Sequence, residues 1–233
     1  MPLQSSARAV ASYRDGGTYL SSLRSQVPVS LRPTAGGLTV VGSAFGPLGG
    51  DTTSLELVLE PGTTLRVGSA GAQLAQPGAT DPVSRASVRF RVGAGAHLHW
   101  RPEPLVVTAG AEHRIELEAT VTAGARLLLA ETAVLDGGRY RSSWRVSCDE
   151  IPLLAADLDV GPGAPDGWDG PAGTDGARIL LTALLVGDDL VPAGPLAGGE
   201  VFQLAGPGVL LQWLGHDAIE ARRCLDAFAH CQL

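Results

Sequence analysis

Three stretches of the chain repeat one pattern of polar and apolar positions. Each begins with a strand in which apolar and polar residues alternate, continues through a turn centred on glycine, and ends in a more apolar strand. The turn glycines Gly62, Gly95 and Gly124 are 33 and 29 residues apart. The strand pairs fall at residues 55–60 with 64–67, 88–92 with 97–100, and 115–121 with 126–129.

This alternation puts one face of each first strand on a core and the other in water. Glycine supplies the positive φ that a tight connection needs. A spacing near 30 residues favours stacked β units over unrelated hairpins, although three hairpins can also look alike by chance. We expect an all-β protein, mainly antiparallel, built of stacked β-hairpin or β-helix-like sheets and ending in a C-terminal α-helix.

The remaining segments fill in this picture. Residues 1–30 are polar and predict a frayed start with one short strand. Residues 127–135 form an apolar run whose one charge is Glu131, which is typical of a buried strand. Residues 161–177 are rich in glycine, proline and aspartate, and predict a long loop or a disordered segment. Asp217 is placed to cap a final helix, whose apolar stripe is Ala218, Ala221, Leu225 and Phe228.

Composition narrows the class of protein. The length of 233 residues and the hydrophobic content of 45% fit one domain, residues 1–233, with a real core. The net charge of -7 and the scattered arginines argue against binding to nucleic acid. Three cysteines do not make a disulfide framework, and we see neither a signal peptide nor an apolar run long enough to cross a bilayer. We expect a cytoplasmic protein.

The sequence contains no catalytic signature of the common kinds, such as a Gly-x-Ser-x-Gly elbow or a phosphate-binding loop with lysine, so we do not expect an enzyme. His97 and His99 share one strand face and could bind a metal with Glu112 or His113. The alternative is that they belong to an ordinary polar face. Cys224, His230 and Cys231 lie close in sequence, but their spacing matches no standard zinc site.

Three carboxylates stand out by their surroundings. Asp51 follows Gly49-Gly50, Glu103 lies between Pro102 and Pro104, and Glu131 lies among leucines. Because a buried carboxylate is costly unless it is paired, we expect Glu131 to have a partner, Arg126 or Arg139.

Four motifs in order resemble the urease accessory protein family UreD, also called UreH. The most specific is the run at residues 99–107, His-Trp-Arg-Pro-Glu-Pro-Leu-Val-Val, followed by Gly110-Ala111. The others are Gly-Gly-Asp at 49–51, Gly-Ala-Arg-Leu-Leu-Leu-Ala-Glu at 124–131 with Gly138-Arg139, and Trp-Leu-Gly-His-Asp at 213–217 before the helix. The positions that match the family motifs, and that we expect to bind partners, are Trp100, Pro102, Glu103, Pro104, Gly49, Gly50 and Arg139.

One segment departs from the family pattern. After the first repeat the family shows Thr-Gln-x-x-x-Lys-Val-Tyr, whereas residues 69–76 here read Ser-Ala-Gly-Ala-Gln-Leu-Ala-Gln, without the lysine and the tyrosine. If that segment contacts a partner in the family, the contact differs in this chain.

The resemblance implies a non-enzymatic role in nickel insertion into urease. It implies partners: the urease apoprotein, the helical accessory protein UreF and the nickel-delivering GTPase UreG. It also implies an internal route for transient Ni(II), for which Asp51, Glu103 and Glu131 are the best positions, and no tightly bound cofactor. Two alternatives stay open at this point: a stacked-β carbohydrate-active enzyme, and a structural β adaptor with no metal role.

Overall fold

Two sheets and one helix make up the described part of the chain in a computed structural model, which covers residues 2–44, 46–188, 190, 196 and 198–230. The elements in chain order are β1 (Gln4–Arg14), β2 (Gly17–Ser25), β3 (Val29–Thr34), β4 (Gly37–Gly42), β5 (Thr52–Leu59), β6 (Thr64–Ser69), β7 (Gln73–Ala75), β8 (Val83–Val92), β9 (His97–Arg101), β10 (Leu105–Thr108), β11 (Glu112–Val121), β12 (Arg126–Asp136), β13 (Arg139–Cys148), β14 (Ile151–Val160), β15 (Ile179–Val186), β16 (Gly199–Gln203), β17 (Gly208–Gly215) and α1 (Ala218–His230).

The strands are divided between two sheets. Sheet A has the order β14-β13-β11-β8-β5-β1-β2. Sheet B has the order β16-β17-β15-β12-β9-β6-β4-β3, and the short strands β10 and β7 extend from β12 outside this path. The all-β class, the stacking and the C-terminal helix are therefore confirmed.

Each copy of the repeat contributes its first strand to sheet A and its second strand to sheet B. Strands β5, β8 and β11 are parallel neighbours in sheet A, and β6, β9 and β12 are parallel neighbours in sheet B. The glycine turns join the two sheets, so the stacked units are β-helix-like coils rather than β-hairpins. Gly62, Gly95 and Gly124 have φ values of +74°, +65° and +74°, which explains why glycine stands there.

The pairing is mixed, whereas the sequence predicted mainly antiparallel sheets. Parallel neighbours need a crossover, and in each repeat the strand in sheet B carries the chain back toward the start of the next strand in sheet A. Antiparallel pairs close the stack at its ends, as in β1 with β2 and β13 with β14. The local alternation pattern is the same for both kinds of pairing, so it could not distinguish them.

The main core lies between the two sheets. It consists of the inward side chains of both, and Leu57, Phe90 and Leu98 are almost completely buried there. The rings of Phe90 and Trp100 meet edge to face with their centroids 5.3 Å apart, which joins sheet A to sheet B.

The helix α1 covers part of the outer face of sheet B. Phe228, Leu225 and Cys224 are buried against side chains of β12, β15 and β17. This explains why β15 is apolar on both faces. The expected cap is present, since the Ile219 N–H donates to Asp217 Oδ1 at 2.7 Å, but Ala218 is exposed and does not belong to the stripe. The described residues contain no helix with the length and apolarity that a membrane crossing requires.

The outer face of sheet A carries a row of alternating charges. The register aligns Arg8 with Glu56, Glu56 with Arg89, Arg89 with Glu118, and Glu118 with Arg145 across five adjacent strands. Glu56 accepts from Arg8 at 2.7 Å, and Glu118 accepts from Arg89 at 3.0 Å. Oppositely charged neighbours of this kind favour one register of the stack.

Two segments outside the repeats, the N-terminal segment and residues 161–177, can be compared with their sequence predictions. The N-terminal segment is an 11-residue strand, β1, rather than a frayed start with one short strand, and it buries Ala7, Ala9 and Ala11. Residues 161–177 consist of consecutive turns joined by backbone hydrogen bonds, such as the one from Thr174 N–H to the Trp168 carbonyl at 2.8 Å.

Candidate functional site

A cavity of about 140 Å³ lies between the two sheets. Its walls are mainly apolar, but several polar side chains reach it from both sheets. The apolar lining includes Val40, Leu55, Val88, Trp100 and Leu105, and the polar lining includes Glu103, His113, Glu131 and Tyr140. Two of the three predicted metal-route carboxylates, Glu103 and Glu131, therefore line the same cavity.

Glu131 lies deep in this region, on β12. Its Oε1 accepts from the Ser142 hydroxyl at 2.7 Å and from Trp144 Nε1–H at 3.4 Å. Its Oε2 is buried and has no partner within hydrogen-bond distance among the described residues, and the buried Tyr140 hydroxyl, which also lacks such a partner, is near enough to lower the pKa of this carboxyl. Burial raises the pKa of this carboxyl, and the hydrogen bonds from neighbouring side chains oppose the shift only in part.

The predicted arginine partner of Glu131 was wrong. Arg139 instead donates two hydrogen bonds to Asp159, both at 2.8 Å, on the outer face of sheet A, and Arg126 is exposed. The reason is strand parity, because side chains two apart share a face. Ser142 and Trp144 point toward the core from β13, so Arg139, an odd number of positions away, points outward.

His113 contributes an imidazole to the same cavity. It is 3% exposed, its Nδ1 lies 2.8 Å from the Ser84 hydroxyl oxygen, and its ring stacks on Tyr140 with centroids 6.4 Å apart. Burial lowers the pKa of His113 to about 4, so the ring is neutral at neutral pH. A neutral imidazole keeps a lone pair on one ring nitrogen, which is the form that binds metal ions.

Asp51 lies beside the cavity rather than in its lining. Its Oδ1 accepts from the Leu3 N–H at 2.8 Å and its Oδ2 from the Leu48 N–H at 3.0 Å. The carboxylate thus ties the N-terminal strand to the loop before β5. A Cβ at Gly46, which does line the cavity, would lie 3.6 Å from Asp51 Oδ2.

Glu103 stands at the boundary of the cavity, where β9 has ended. Its backbone N–H donates to Ser69 Oγ at 2.9 Å, while its side chain is 40% exposed and places Oε1 3.6 Å from a guanidinium nitrogen of Arg222 on α1. Of the three predicted carboxylates, Asp51 is buried beside the cavity, Glu131 reaches the cavity from between the sheets, and Glu103 is half-exposed at its boundary.

The other family-motif positions have clear structural surroundings. Trp100 is buried against Phe90, Pro102 lines the cavity, and the Pro104 carbonyl accepts from the Gln73 N–H at 3.0 Å. A Cβ at Gly49 would lie 1.9 Å from the Asp81 carbonyl oxygen, and Gly50 has a φ of +92°, so both positions favour glycine for backbone reasons.

The histidine and cysteine candidates are not brought together. His97 and His99 lie on the outer face of sheet B, whereas His113 points into the core from sheet A. No three His, Cys, Asp or Glu side chains form a metal-binding group within the ranges that the structure describes. Cys224 is buried on the sheet-facing side of α1, His230 is exposed at the end of this helix, and Cys231 lies outside the described residues.

Sequence reasoning missed the polar side chains that surround Glu131. Ser142, Tyr140 and Ser84 were not predicted to belong to a site, although all three are buried. Strand parity contained the signal, because Tyr140, Ser142 and Trp144 alternate with exposed or half-exposed residues along β13.

A family profile and individual relatives of this chain all point to the same protein family. The sequence profile of a family described as UreD urease accessory protein matches residues 4–232. The chain is 38% identical to "Urease accessory protein UreD" of Streptomyces coelicolor, over 91% of this chain and 89% of the relative. It is also 38% identical to "Urease accessory protein UreD 3" of Streptomyces griseus, over 95% of both chains, and 36% identical to the UreD protein of a Parafrankia species, over 98% of this chain and 90% of the relative.

Proposed function

Because this chain belongs to the UreD family of urease accessory proteins, we propose that it serves urease maturation as a nickel-insertion scaffold. In this proposal it binds the urease apoprotein and links it to UreF and, through UreF, to the nickel-delivering GTPase UreG. Membership of an accessory protein family suggests a non-catalytic role, and the proposed function is one of binding and transfer.

The observation that carries the proposal is the unpartnered Oε2 of Glu131 beside the cavity between the sheets. An interior carboxylate oxygen without a donor is costly, so it marks a position that a cation would stabilise. Nickel enters here as cargo. A carboxylate binds Ni(II) more weakly than imidazole or thiolate does, and a weak site suits transfer better than storage.

The surroundings of Glu131 support brief occupancy. Burial raises the pKa of Glu131, so the proton competes with an arriving cation, and binding of the cation releases that proton. His113 offers a neutral imidazole in the same lining, and Glu103 offers a half-exposed carboxylate at the boundary. These groups, together with Asp51 beside the cavity, are the residues we assign to the nickel route.

We further propose that the assembly forms in the cytoplasm. The two described cysteines, Cys148 and Cys224, are free thiols, which fits a reducing compartment.

The test is reconstitution with the urease subunits and the other accessory proteins from the same source. The tagged chain should co-purify with them, and urease should gain nickel only when the chain is present. Glu131→Gln keeps the shape of the side chain but removes its ability to ionise, and should reduce nickel loading while the complex still forms. Full nickel loading by Glu131→Gln, Glu103→Gln and Asp51→Asn would contradict the assigned route, and co-purification without any effect on nickel would favour a structural adaptor.

A further inference from the structure

A second concavity lies on the outer face of sheet B, and we call it the helix groove. It runs between α1 and strands β4, β6 and β9, and its volume of about 730 Å³ is within the range of ligand-binding clefts. Its sheet side includes Gly37, Thr39, Arg66, Gly68, His99 and Arg101, and its helix side includes Ala218, Ile219, Arg222 and Asp226.

Three arginines, Arg66, Arg101 and Arg222, and two acids, Glu103 and Asp226, line the helix groove, which leaves an excess of one positive charge. The register places Arg66 beside His99 on neighbouring strands. The outward positions of β6 and β9 hold no acid: they are Thr64, Arg66, Gly68, His97, His99 and Arg101. Burial and the nearby Arg66 lower the pKa of His99, so its ring is neutral at neutral pH and offers a hydrogen bond rather than a charge. This local excess contrasts with the net charge of -7 of the whole chain.

Some of these cations already have partners within the chain. Arg101 forms an ion pair with Asp226 of α1, and Arg222 of α1 lies 3.6 Å from Glu103. These pairs hold the helix beside the groove. Arg66 is exposed, and among the residues that the structure describes it lies within 4.0 Å of no carboxylate. Its guanidinium therefore has donors available for an incoming anion.

The shape of the groove favours a polypeptide over a small ion. Gly68 presents no side chain on the floor, so a partner backbone can approach there, whereas the place of a Gly37 Cβ is taken by the Arg66 carbonyl oxygen. At the rim, Ile219 is 62% exposed and offers an apolar contact beside the cations. A carboxylate-bearing segment with one apolar side chain would match both features.

We propose that the helix groove binds an acidic segment of a partner protein in the maturation complex. Its carboxylates contact Arg66 and His99, and an apolar side chain packs on Ile219. This extends the proposed scaffold role and rests on it for the source of the partner, since charge complementarity defines the chemistry of the segment.

The direct test uses a fluorescein-labelled oligoglutamate peptide that carries one leucine, with an oligolysine peptide of equal length as the probe control, measured by fluorescence anisotropy at low salt. We expect Arg66→Glu to weaken oligoglutamate binding about fivefold and Arg66→Ala about twofold. Arg24→Glu makes the same charge change on the edge strand β2 of sheet A and should leave binding unchanged. Equal affinities for Arg66→Glu and Arg24→Glu, or equal binding of oligolysine, would overturn the proposal.

A second measurement uses the full complex. Arg66→Glu should reduce the amount of accessory protein that co-purifies with the chain, and Arg24→Glu should not. If both variants retain all partners and load nickel, the groove proposal fails while the scaffold role stands. If the wild-type chain retains no partner but Arg66→Glu still loses oligoglutamate, the scaffold role fails while the groove remains a site for acidic peptides. Thermal unfolding of each variant verifies that it is folded.

Discussion

Carboxylates on the outer face of sheet A and the carboxylate in the interior are held in opposite ways. Outside, Glu56 contacts Arg8 and Arg91, Glu118 contacts Arg89, and Asp159 receives two hydrogen bonds from Arg139. Inside, Glu131 accepts from the neutral donors Ser142 and Trp144, has the neutral Tyr140 hydroxyl nearby, and leaves one oxygen with no partner within hydrogen-bond distance among the described residues.

The difference appears in proton affinity. Hydrogen bonds from Arg139 lower the pKa of Asp159, whereas burial raises the pKa of Glu131. On the outer face, oppositely charged neighbours across the strands favour one register of the stack. The interior carboxyl holds its proton more strongly and keeps one oxygen that accepts no hydrogen bond among the described residues. Carboxyl groups are therefore paired with arginine on the outer face and surrounded by neutral side chains in the interior.

The largest expected effect is a difference in stability between two alanine variants, one in the interior and one on the outer face of sheet A. Glu131→Ala leaves the Ser142 and Trp144 donors without their acceptor and should lower the free energy of unfolding by about 1–3 kcal/mol. Glu118→Ala removes an exposed ion pair and should cost less than about 1 kcal/mol. Urea unfolding of both variants measures the difference, and equal losses would contradict the comparison.

The pH dependence of stability should identify the raised pKa of Glu131. Above pH 4.5, the usual value for glutamate, the unfolded chain loses this proton while the folded chain keeps it, so stability falls as the pH rises, until the folded pKa is passed. The slope from this group is about 1.4 kcal/mol per pH unit at most. Glu131→Gln should remove this part of the slope in urea unfolding between pH 4 and 8, and Glu118→Gln should not. Identical slopes in wild type and Glu131→Gln would show that Glu131 ionises normally.

The stability contributed by the ion pair of Arg139 and Asp159 should depend on the planar guanidinium, which donates two hydrogen bonds to the carboxylate. Arg139→Lys replaces two parallel hydrogen bonds by a single ammonium contact and should lower the free energy of unfolding by about 1 kcal/mol. Arg145→Lys alters the more exposed pair with Asp157 and should have a smaller effect. Because the pKa of Asp159 is lowered, the contribution of the Arg139 pair is present above about pH 4 and is lost as the pH falls through the folded pKa. A larger loss from Arg145→Lys than from Arg139→Lys would be inconsistent with this account.

The smallest expected effect concerns the alternating row on sheet A. Glu56→Gln removes the charge that contacts both Arg8 and Arg91 and should cost roughly 0.5–1 kcal/mol at low salt. Salt screens exposed pairs, so the difference from wild type should shrink in high salt. Thermal unfolding at two salt concentrations measures it, and a loss that does not change with salt would indicate that packing, not charge, is responsible.

Much of the fold follows from local sequence patterns. Alternation located the strands of sheet A, the turn glycines located the connections, and Asp217 located the start of α1. Which sheet a strand joins is not a local property. The pattern around Gly95 therefore could not show whether the two strands pair with each other or, as in the structure, belong to sheet A and sheet B. Strand β1 was underestimated because its buried face is Ala7, Ala9 and Ala11, and alanine gives a weaker apolar signal than leucine or valine.

The candidate site was predicted in part. The burial of Glu131 followed from the leucines around it, but its partners come from β13, and only strand parity could have selected Ser142 over Arg139. Glu103 was singled out by its prolines, yet its position at the cavity boundary depends on how β9 ends beside α1, a tertiary feature. Whether nickel passes these residues stays a prediction.

The measurement that tests the central claim most directly is the nickel content of urease reconstituted with wild-type chain, with Glu131→Gln and with Glu118→Gln, alongside the composition of each purified complex. We predict intact complexes in all three cases, with nickel loading reduced for Glu131→Gln alone. Full nickel loading with Glu131→Gln in an intact complex would contradict the claim that the interior carboxylate handles nickel.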